Sequence, residues 1–523
     1  MRPPLWHPPV ALSTAEHAII KRIRRAKLFV CLRHHRHTLF AEPLQQELAT
    51  LSKDQPQGHP PVPPAQLALA TLLQAYPQVS EDEVIEATPM DRRWPLGLEC
   101  HDAETLPFSQ GPLVALRQRL IAQHLDRRLV ARTVELAAAS GAFGPRQLRA
   151  ALASSPLWGA GRVEETSNLL GHARRQAVGV IARQQGRGLR AVAAEAGASL
   201  RAASRLQAAL ALAWDDSKAQ QQALTRILEA LQTVEQWRDP QPREPETASR
   251  AVASGAVAQQ GWPQDLPTPP DGTPPLRHGV AEDRRLSLED AERRHGRKSR
   301  RLLVDGDKRH GLRDLDSRLM VAVGVTPAKA PEARVTAAIE ADVAAQPCTR
   351  RELPIDRAYL ASKLVQQRSE TVTIFCKAWP VRQGPYVPKS AFQLDWERHE
   401  RRCPGGESMP LTPGEGVKGP AATCASCALR DRCPSSASGR SISIHPDEAL
   451  VQEWRDRQSP PQGRAQWRER VAVEHALAHV GRWQGRRARY RGVRKNVFEL
   501  RRCAVVHNLH VLMHLPQTEQ QAA

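Results

Sequence analysis

Apolar residues recur at helical spacing through the first part of the chain. Ile19, Ile20 and Ile23 are followed by an apolar run at 28–32, so we predict helix between residues 14 and 51. After a Pro-rich break, AQLALATLLQAY predicts another apolar helix. Ser80, with Glu83 three residues later, then forms the capping-box pattern that begins a helix. With a further helix expected from about residue 111 to 139, the pattern predicts an all-helical N-terminal domain over residues 1–144.

The periodicity changes after Pro145. RQLRAALASS predicts a buried strand in the region 145–164, and helical spacing returns over 165–238 as an insertion. Pro, Ala, Gly and Gln are frequent over 239–285, which indicates a flexible linker. Residues 286–400 then predict two consecutive strands, a helix and two more strands, the first of which ends in a turn at Asp356. This order is typical of a mixed sheet flanked by helices.

Two helices are expected in the last part of the chain. WRERVAVEHALAHVGRWQ predicts one amphipathic helix, and on it Trp467, Arg470 and Glu474 fall three and four residues apart, so they share a face. Residues from about 496 to 512 predict a final apolar helix, and residues 441–523 are expected to complete the core. The predicted fold class is a multidomain α+β protein: a helical N-terminal domain and an α/β core with a helical insertion.

Charge identifies the partner that this chain would attract. Lys and Arg number 75 against 55 Asp and Glu, a formal charge of +20, and such a field attracts nucleic acid. A GC-rich genome that favours arginine codons would also raise the charge, but the cations cluster at 293–301 and at 482–495, with aromatic rings between them in the second run. We therefore predict DNA contacts from Arg297, Lys298, Arg300, Arg482, Trp483, Arg486, Arg487, Arg491 and Lys495.

Hydropathy excludes a membrane protein. Hydrophobic residues make up 41% of the chain, enough for buried cores, but no stretch of about twenty uncharged apolar residues occurs. The N-terminus lacks the apolar segment and cleavage site of a secretory signal. The expected location is the cytoplasm. The helical N-terminal domain is compatible with DNA binding or with dimerisation, and its pattern does not choose between them.

Four of the nine cysteines lie within 31 residues, which points to metal rather than to disulfides. Cys403, Cys424, Cys427 and Cys433 have the spacing C-x20-C-x2-C-x5-C. The CxxC pair and two further thiols can complete one tetrahedral Zn²⁺ site. We predict a zinc-ribbon-like module at 401–440, in which four thiolates leave no open position, so the ion would be structural.

Two carboxylates are candidates for a second kind of metal site. Asp356 stands at the end of a predicted strand, and Glu474 lies on the amphipathic helix. Such a pair can chelate a hard divalent cation through oxygen, and two such ions can activate a nucleophile and stabilise a leaving 3′ oxygen in phosphodiester cleavage. An Asp at a strand end is more often a cap or turn residue, so this pair does not define a function unaided.

Blocks along nearly the whole chain resemble DDE transposases of bacterial insertion sequences, of the group with an InsH-type helical N-terminal domain. The blocks that carry the resemblance include PPAQLALATLLQAY, SSPLWGAGRVEET with NLLGHA, DKRHGLRDLDS, ELPIDRAYL, ATCASCALRDRC and RERVAVEHALAHVGRWQGRRARYRG. The resemblance implies a ribonuclease H-like core whose acidic triad comes from the first strand, the fourth strand and a late helix. Asp356 matches the second acid and Glu474 the third.

The resemblance also implies cofactors, partners and DNA contacts. Two Mg²⁺ ions, replaceable by Mn²⁺, would serve cleavage and strand transfer on double-stranded DNA with terminal inverted repeats, followed by joining to target DNA. A homodimer in the bacterial nucleoid is expected, because both transposon ends must be cut and joined together. Trp467 takes the tyrosine position of the family's tyrosine-arginine-glutamate-arginine signature, and Arg470 takes the first arginine, which makes Arg470 a further expected DNA contact. Arg482 lies one residue later than the usual second arginine.

The first acid of the triad is missing. Relatives have leucine, aspartate, serine, serine before the PLWGAGR block, whereas this chain has Leu152, Ala153, Ser154 and Ser155. Because alanine coordinates no cation, we expect this chain to be catalytically inactive and still able to bind DNA. An engineered substitution that traps a DNA complex is the explanation we favour, and a naturally inactive copy is the second. The third is that another acid serves, with the candidates Glu164, Glu165, Asp305, Asp307 and Asp316.

Two alternative functions remain open. One is a naturally inactive DNA-binding regulator derived from a transposase. The other is a metal-dependent DNA nuclease without strand transfer.

Overall fold

A computed structural model describes residues 3–52, 61–101, 106–139, 147–164, 166–195, 283–299, 301–346, 348–379, 386–433 and 437–514. It is a mixed α+β structure in which helices cover a central sheet. The predicted linker 239–285, except 283–285, and the second half of the predicted insertion lie outside the described residues. No helix in the ranges above is both long enough and apolar enough to cross a membrane.

Eight helices precede the first described strand. They are α1 (Thr14–Arg22), α2 (Lys27–Leu39), α3 (Glu42–Ala49), α4 (Pro64–Ala75), α5 (Glu81–Met90), α6 (Arg93–Leu98), α7 (Gln110–Ala122) and α8 (Asp126–Ala139). The predicted capping box is confirmed: the Ser80 hydroxyl accepts from Glu83 N at 3.1 Å, and Glu83 accepts from Ser80 N at 2.5 Å. The single helix predicted at 111–139 is wrong, because the chain turns between α7 and α8 with His124 at φ 57°.

The central sheet has six strands: β1 (Gln147–Trp158), β2 (Arg294–Arg297), β3 (Leu303–Asp314), β4 (Met320–Pro327), β5 (Thr349–Ile355) and β6 (Thr373–Cys376). β1 pairs antiparallel with β3 and parallel with β5, and β5 pairs parallel with β6. Both β2 and β4 pair antiparallel with β3, β2 near its start and β4 along its later part. The predicted strand-strand-helix-strand order is confirmed, with α11 (Thr336–Ala344) between β4 and β5.

The remaining elements connect and cover this sheet. Helices α9 (Thr166–Gln184) and α10 (Leu189–Glu195) belong to the predicted insertion, and α12 (Lys363–Gln366) separates β5 from β6. A small module after β6 contains β7 (Gln393–Asp395), β8 (Glu400–Arg402), β9 (Ser408–Pro410), β10 (Gly416–Lys418), α13 (Ala421–Ala425) and β11 (Ser441–Ser443). Four helices follow, α14 (Glu448–Gln458), α15 (Pro461–Arg468), α16 (Val471–Gln484) and α17 (Val493–Leu512).

The two faces of the sheet bury different cores. On β1, Ala151 and Ala153 face a large core made by the N-terminal helices, α16 and α17, whereas Leu148, Ala150 and Leu152 face a second core that includes α11 and α14. This alternation follows from the two-residue period of a strand. The N-terminal helices therefore share one continuous core with the sheet.

Close backbone contacts fix the place where β1 leaves the sheet. A Cβ on Gly306 would lie 2.4 Å from both Gly159 N and Leu157 O, and a Cβ on Gly159 would lie 2.4 Å from Nε of the buried Arg293. Arg293 Nε donates to Asp305 O at 3.0 Å. Glycine is therefore required at both positions for the chains to approach this closely.

We expect Gly306→Ala to lower the free energy of unfolding by about 1–3 kcal/mol or more, because the new Cβ meets backbone atoms that cannot move aside. Urea unfolding followed by circular dichroism measures the change. Gly188→Ala is the matched control, since no atom lies within 4 Å of its would-be Cβ. Equal free energies of unfolding for the two variants would contradict the requirement for glycine at position 306.

Candidate functional site

Two of the three predicted catalytic positions come together on adjacent strands. Leu152 pairs with Ile355 in the parallel register of β1 and β5, so Ala153 and Asp356 are the next residues on each strand. Ala153 is 2% exposed and contributes to the core beneath α16, whereas Asp356 is exposed where the chain leaves β5. The Asp356 carboxylate accepts from Arg357 N at 2.6 Å and so caps the short 3-10 turn that follows.

Glu474 comes from α16, which packs on the Ala153 face of the sheet. Val473, Ala476 and Leu477 of this helix share the core with Ala153. Glu474 itself is 49% exposed and accepts from Arg470 Nη2 at 2.8 Å. One continuous helix through Trp467 is wrong, because α15 ends at Arg468 and α16 begins at Val471. The Arg470 guanidinium nevertheless lies 5.7 Å from the centre of the Trp467 ring, so the three side chains remain neighbours.

The charges around Asp356 affect the pKa of Cys376, the buried last residue of β6. Cys376 pairs with Ile355, and burial raises the pKa of its thiol to about 12. The Asp356 carboxylate adds to this pKa shift, whereas the Arg357 and Arg470 guanidiniums oppose it. Asp356 and Arg470 thus both act on this thiol.

Cations and aromatic rings surround the end of β6. Arg357 donates to the carbonyls of Lys377 at 2.8 Å and Ala378 at 2.9 Å, and its guanidinium stands 5.1 Å from the centre of the exposed Trp379 ring. Lys377 Nζ lies 5.4 Å from the centre of the Trp467 ring. Such alternation of rings and cations is suited to a nucleic acid strand.

The opposite side of β1 holds a buried polar network that sequence reasoning missed. The Ser154 hydroxyl lies 2.6 Å from Glu332 Oε2 and accepts from Lys298 Nζ, which also donates to Glu332 Oε1 at 3.1 Å. Lys308 Nζ lies 3.7 Å from the same carboxylate. Lys298, which we predicted as a DNA contact, therefore points into the protein. No periodic signal links these residues, because they come from four separate segments.

Tyr359 extends this network to the turn that follows Asp356. Its hydroxyl lies 2.8 Å from His310 Nδ1, while His310 Nε2 lies 2.8 Å from Thr326 Oγ1. Burial lowers the pKa of His310 to about 3, so the ring is neutral near pH 7. A neutral ring with both nitrogens satisfied fixes Tyr359, three residues after Asp356.

The other acids weighed as substitutes for the first carboxylate lie elsewhere. Glu164 lies 2.5 Å from His172 Nδ1, Asp305 pairs with His295, and Asp316 accepts from Arg149 at 2.9 Å. Asp307 pairs with Leu157, four residues along β1 from Ala153. Glu165 lies outside the described residues. In the described ranges, no group of three or more His, Cys, Asp or Glu side chains is arranged to hold a metal ion.

The four predicted zinc ligands line one small cavity in the module after β6. Cys403, Cys424, Cys427 and Cys433 surround a volume of about 50 Å³. Arg440 N lies 3.5 Å from the Cys424 sulfur, and Leu429 N lies 3.5 Å from the Cys427 sulfur. Burial raises the pKa of the Cys433 thiol, and the neighbouring thiols add to this shift while Arg440 opposes it.

A buried cation faces these thiols. Arg401 is 1% exposed, and its Nε and Nη1 find no hydrogen-bond partner in the part of the chain that the structure describes. Burial lowers the Arg401 pKa, and Cys403 and Cys424 oppose that change. Its Nη2 lies 3.2 Å from the Met409 sulfur, a weak acceptor, so most of the donors of this buried guanidinium lack a strong partner and the site suits a nearby anionic group.

The predicted DNA contacts divide into exposed and buried groups. Arg482, Arg486, Arg487, Arg491 and Lys495 are exposed, although Arg491 pairs with Glu289. Trp483 is 8% exposed and stacks on His510 with ring centres 5.2 Å apart, which assigns its ring to packing. Arg297 is exposed, and Arg300 lies outside the described residues.

Comparison with known proteins gives one match. Residues 402–513, about a fifth of the chain, match the family model described as transposase DDE domain. The match includes the four cysteines and Glu474, and it begins after Ala153 and Asp356. No curated protein and no solved structure matches the chain.

Asp307 generates a pH prediction. Burial raises its pKa to about 7, with Asp290 and Glu292 adding to the shift and Asn496, which donates at 3.2 Å, opposing it. Because folding raises the pKa of Asp307, the contribution of this group to stability is fully present below about pH 4 and is lost as pH rises through about 7. We expect Asp307→Asn to remove this loss, which amounts to about 4 kcal/mol at most. Urea midpoints of both proteins from pH 4 to 8 measure it, and parallel profiles would contradict the prediction.

Proposed function

We propose, from the match of residues 402–513 to a transposase DDE domain, that this chain is an insertion-sequence transposase that binds terminal inverted repeats in DNA. The observation that supports the proposal is that Ala153 and Asp356 are the next residues after a paired position of β1 and β5, and that the helix of Glu474 packs on the Ala153 face of the sheet. Its parent enzyme would cleave the transposon ends and join them to target DNA. A homodimer in the bacterial nucleoid and membership of the InsH-type group are part of the same proposal.

The sheet supports a ribonuclease H-like core. Strand β3 pairs antiparallel with β1 on one side and with β4 on the other. Beyond β1, β5 and β6 continue the sheet parallel to β1. Asp356 follows the carboxyl end of β5, and Glu474 belongs to a helix packed over β1. Function in such sheets concentrates at the carboxyl ends of the parallel strands.

The residues present would fit divalent metal only in part. Asp356 and Glu474 are exposed oxygen donors, as Mg²⁺ or Mn²⁺ requires, and an aspartate at 153 would supply the third. Two bound ions would activate the attacking oxygen and stabilise the leaving 3′ oxygen. Arg470 holds Glu474 in place, and Arg357 and Lys377 provide positive charge where a DNA strand would approach.

Ala153 would leave this chain without cleavage activity. Its methyl group packs in the core and offers no charge or lone pair. Asp356 and Glu474 alone supply two carboxylates where the proposed chemistry needs three. DNA binding depends on other residues and would persist.

Restoring the carboxylate tests the proposal. We expect Ala153→Asp to cleave and join inverted-repeat DNA in Mg²⁺ or Mn²⁺ at a rate on the order of 10³-fold or more above that of the unaltered chain. A gel assay with labelled transposon-end DNA measures the rate. Metal should also raise the melting temperature of Ala153→Asp, because an unliganded aspartate there is buried, and should leave the parent chain unchanged.

The double variant Ala153→Asp with Glu474→Gln is the matched control and should show neither effect. If Ala153→Asp neither nicks nor joins DNA and gains no stability from metal, the assignment of this site is wrong.

We propose that the four cysteines bind one structural Zn²⁺. Three observations support this zinc site: the shared cavity, the two N–H groups near sulfur, and the buried Arg401 guanidinium, whose Nε and Nη1 have no hydrogen-bond partner among the described residues. Four thiolates around Zn²⁺ carry a net charge of about −2, which would compensate Arg401. The module has few buried apolar residues, among them Phe392, Leu411, Ile442 and Ile444, so metal would contribute much of its stability.

Elemental analysis of protein purified without chelator should find about one zinc per chain. Cys427→Ser should lose most of the zinc and lower the melting temperature, whereas Cys348→Ser, which removes a thiol outside the module, should keep it. A chain that folds normally and holds no zinc would overturn the zinc site without affecting the catalytic proposal.

A regulator that binds transposon ends without cutting them is the second candidate function. The alanine at 153 favours it. The cleavage assay separates the two, because a regulator would bind inverted repeats and stay inactive even as Ala153→Asp. A nuclease would cut without joining.

A further inference from the structure

We propose that a cleft along helix α9 is a second DNA-binding surface, which grips the phosphate backbone of duplex DNA away from the candidate catalytic centre. The cleft has a volume of about 490 Å³ and is bordered by α9, by Arg187 and Leu189 after it, and by Leu288 and Glu289. The inference rests on the proposed function, because it takes DNA as the chain's partner.

One face of α9 presents polar and basic side chains to this cleft. His172, Arg175, Gln176, Gly179 and Arg183 all line it, at spacings of three, four and seven residues that place them on the same side of a helix. Next to this face, Val178 and Ala182 pack against Val192 and Ala193 of α10, and the buried Ala182 also lines the cleft. The basic stripe therefore remains open to solvent because the apolar residues beside it are the ones that are buried.

The cleft carries uncompensated positive charge. Arg187 pairs with Glu195 at 2.7 Å, and Glu289 pairs with Arg491, so these four charges cancel. Arg175 and Arg183 form no ion pair or hydrogen bond with the described residues. Two guanidiniums held on one face without counter-charges suit an anionic ligand.

A rigid connection to the central sheet holds the cleft in position. Glu164, six residues after β1, lies 2.5 Å from His172 Nδ1 and accepts from Leu288 N at 3.4 Å. Its backbone N–H donates to Leu286 O at 2.9 Å. One residue thus ties both walls of the cleft to the strand that carries Ala153, so a duplex bound here keeps a fixed relation to the catalytic centre.

Duplex phosphates fit the lining better than unpaired bases. No Phe, Tyr or Trp among the described residues lines the cleft, and the one aromatic ring there, the His172 imidazole, is held by Glu164, so bases have little on which to stack. Arg175 and Arg183 lie eight residues apart, roughly 12 Å along the helix, a length over which duplex DNA carries about seven phosphates. Arg491, paired with Glu289, connects the cleft to the exposed Arg486 and Arg487, so one duplex can contact both surfaces.

The test is the salt dependence of duplex binding by the full chain. Fluorescence anisotropy with a labelled duplex of about 30 base pairs gives Kd between 50 and 200 mM NaCl. We expect the double variant Arg175→Gln and Arg183→Gln to lower the slope of log K against log salt by about 1.8. The unaltered chain should then lose about twelve-fold more affinity than the variant over that range. Arg175→Lys with Arg183→Lys should keep the slope.

Arg24→Gln with Arg25→Gln is the matched control, because it removes the same charge from two exposed positions in the turn between α1 and α2. We expect it to change the slope by less than half as much. The proposal for the cleft is wrong if the Arg175→Gln, Arg183→Gln variant keeps the full salt slope, or if its slope falls no more than that of the control. Either result leaves the proposed function intact. Failure of the unaltered chain to bind duplex DNA overturns the proposed function itself.

Discussion

The buried helix α17 is the constraint on which the rest of the structure depends. Asn508 is fully buried, accepts from Met320 N at 2.8 Å, and donates to Met320 O at 2.9 Å and to Thr133 at 2.8 Å. One side chain therefore joins α17 to the edge strand β4 and to α8. A buried amide has to find all these partners at once, so its hydrogen bonds fix where the N-terminal helices meet the sheet.

Buried charges along the same helix extend this constraint. Arg501 donates to Asp342 of α11 at 2.8 Å and lies 3.1 Å from Asp126 of α8, and Arg494 contacts Asp126 at 2.6 Å. Burial raises the Asp342 pKa and Arg501 opposes that change. Because removal of one partner would leave the other charge buried and unpaired, these pairs make the arrangement of α8, α11 and α17 specific. Helix α16 packs against α17 and the sheet, so the position of Glu474 depends on the same contacts.

Local signals predicted the elements of this fold better than its polar contacts. The capping box at Ser80, the alternation of β1 and the end of β5 at Asp356 each rest on neighbouring residues, and the structure has them. The break between α7 and α8 escaped prediction because helical spacing continues across His124, whose positive φ arises from tertiary packing. The break before Val471 separates α15 from α16 in a stretch that also keeps its periodicity.

The inward orientation of Lys298 could not be predicted for a different reason. In sequence it belongs to a dense basic run, and a basic run is usually solvated or bound to phosphate. Glu332 reverses this expectation, because its buried carboxylate beside Ser154 of β1 needs cations, and Lys298 and Lys308 are within reach. The need arises only after the sheet has formed, so it leaves no trace in local spacing.

Burial and charge also explain why alanine is well tolerated at position 153. An aspartate at 153 would be almost fully buried beside Asp356, and without a cation two nearby carboxylates would raise each other's pKa and oppose folding. Alanine relieves that cost and packs with Val473 and Leu477. A site built to hold metal is strained when empty, so loss of its chemistry can leave stability unchanged or improved. The well-packed core around Ala153 is therefore compatible with the proposed function, in which an aspartate at this position would hold metal.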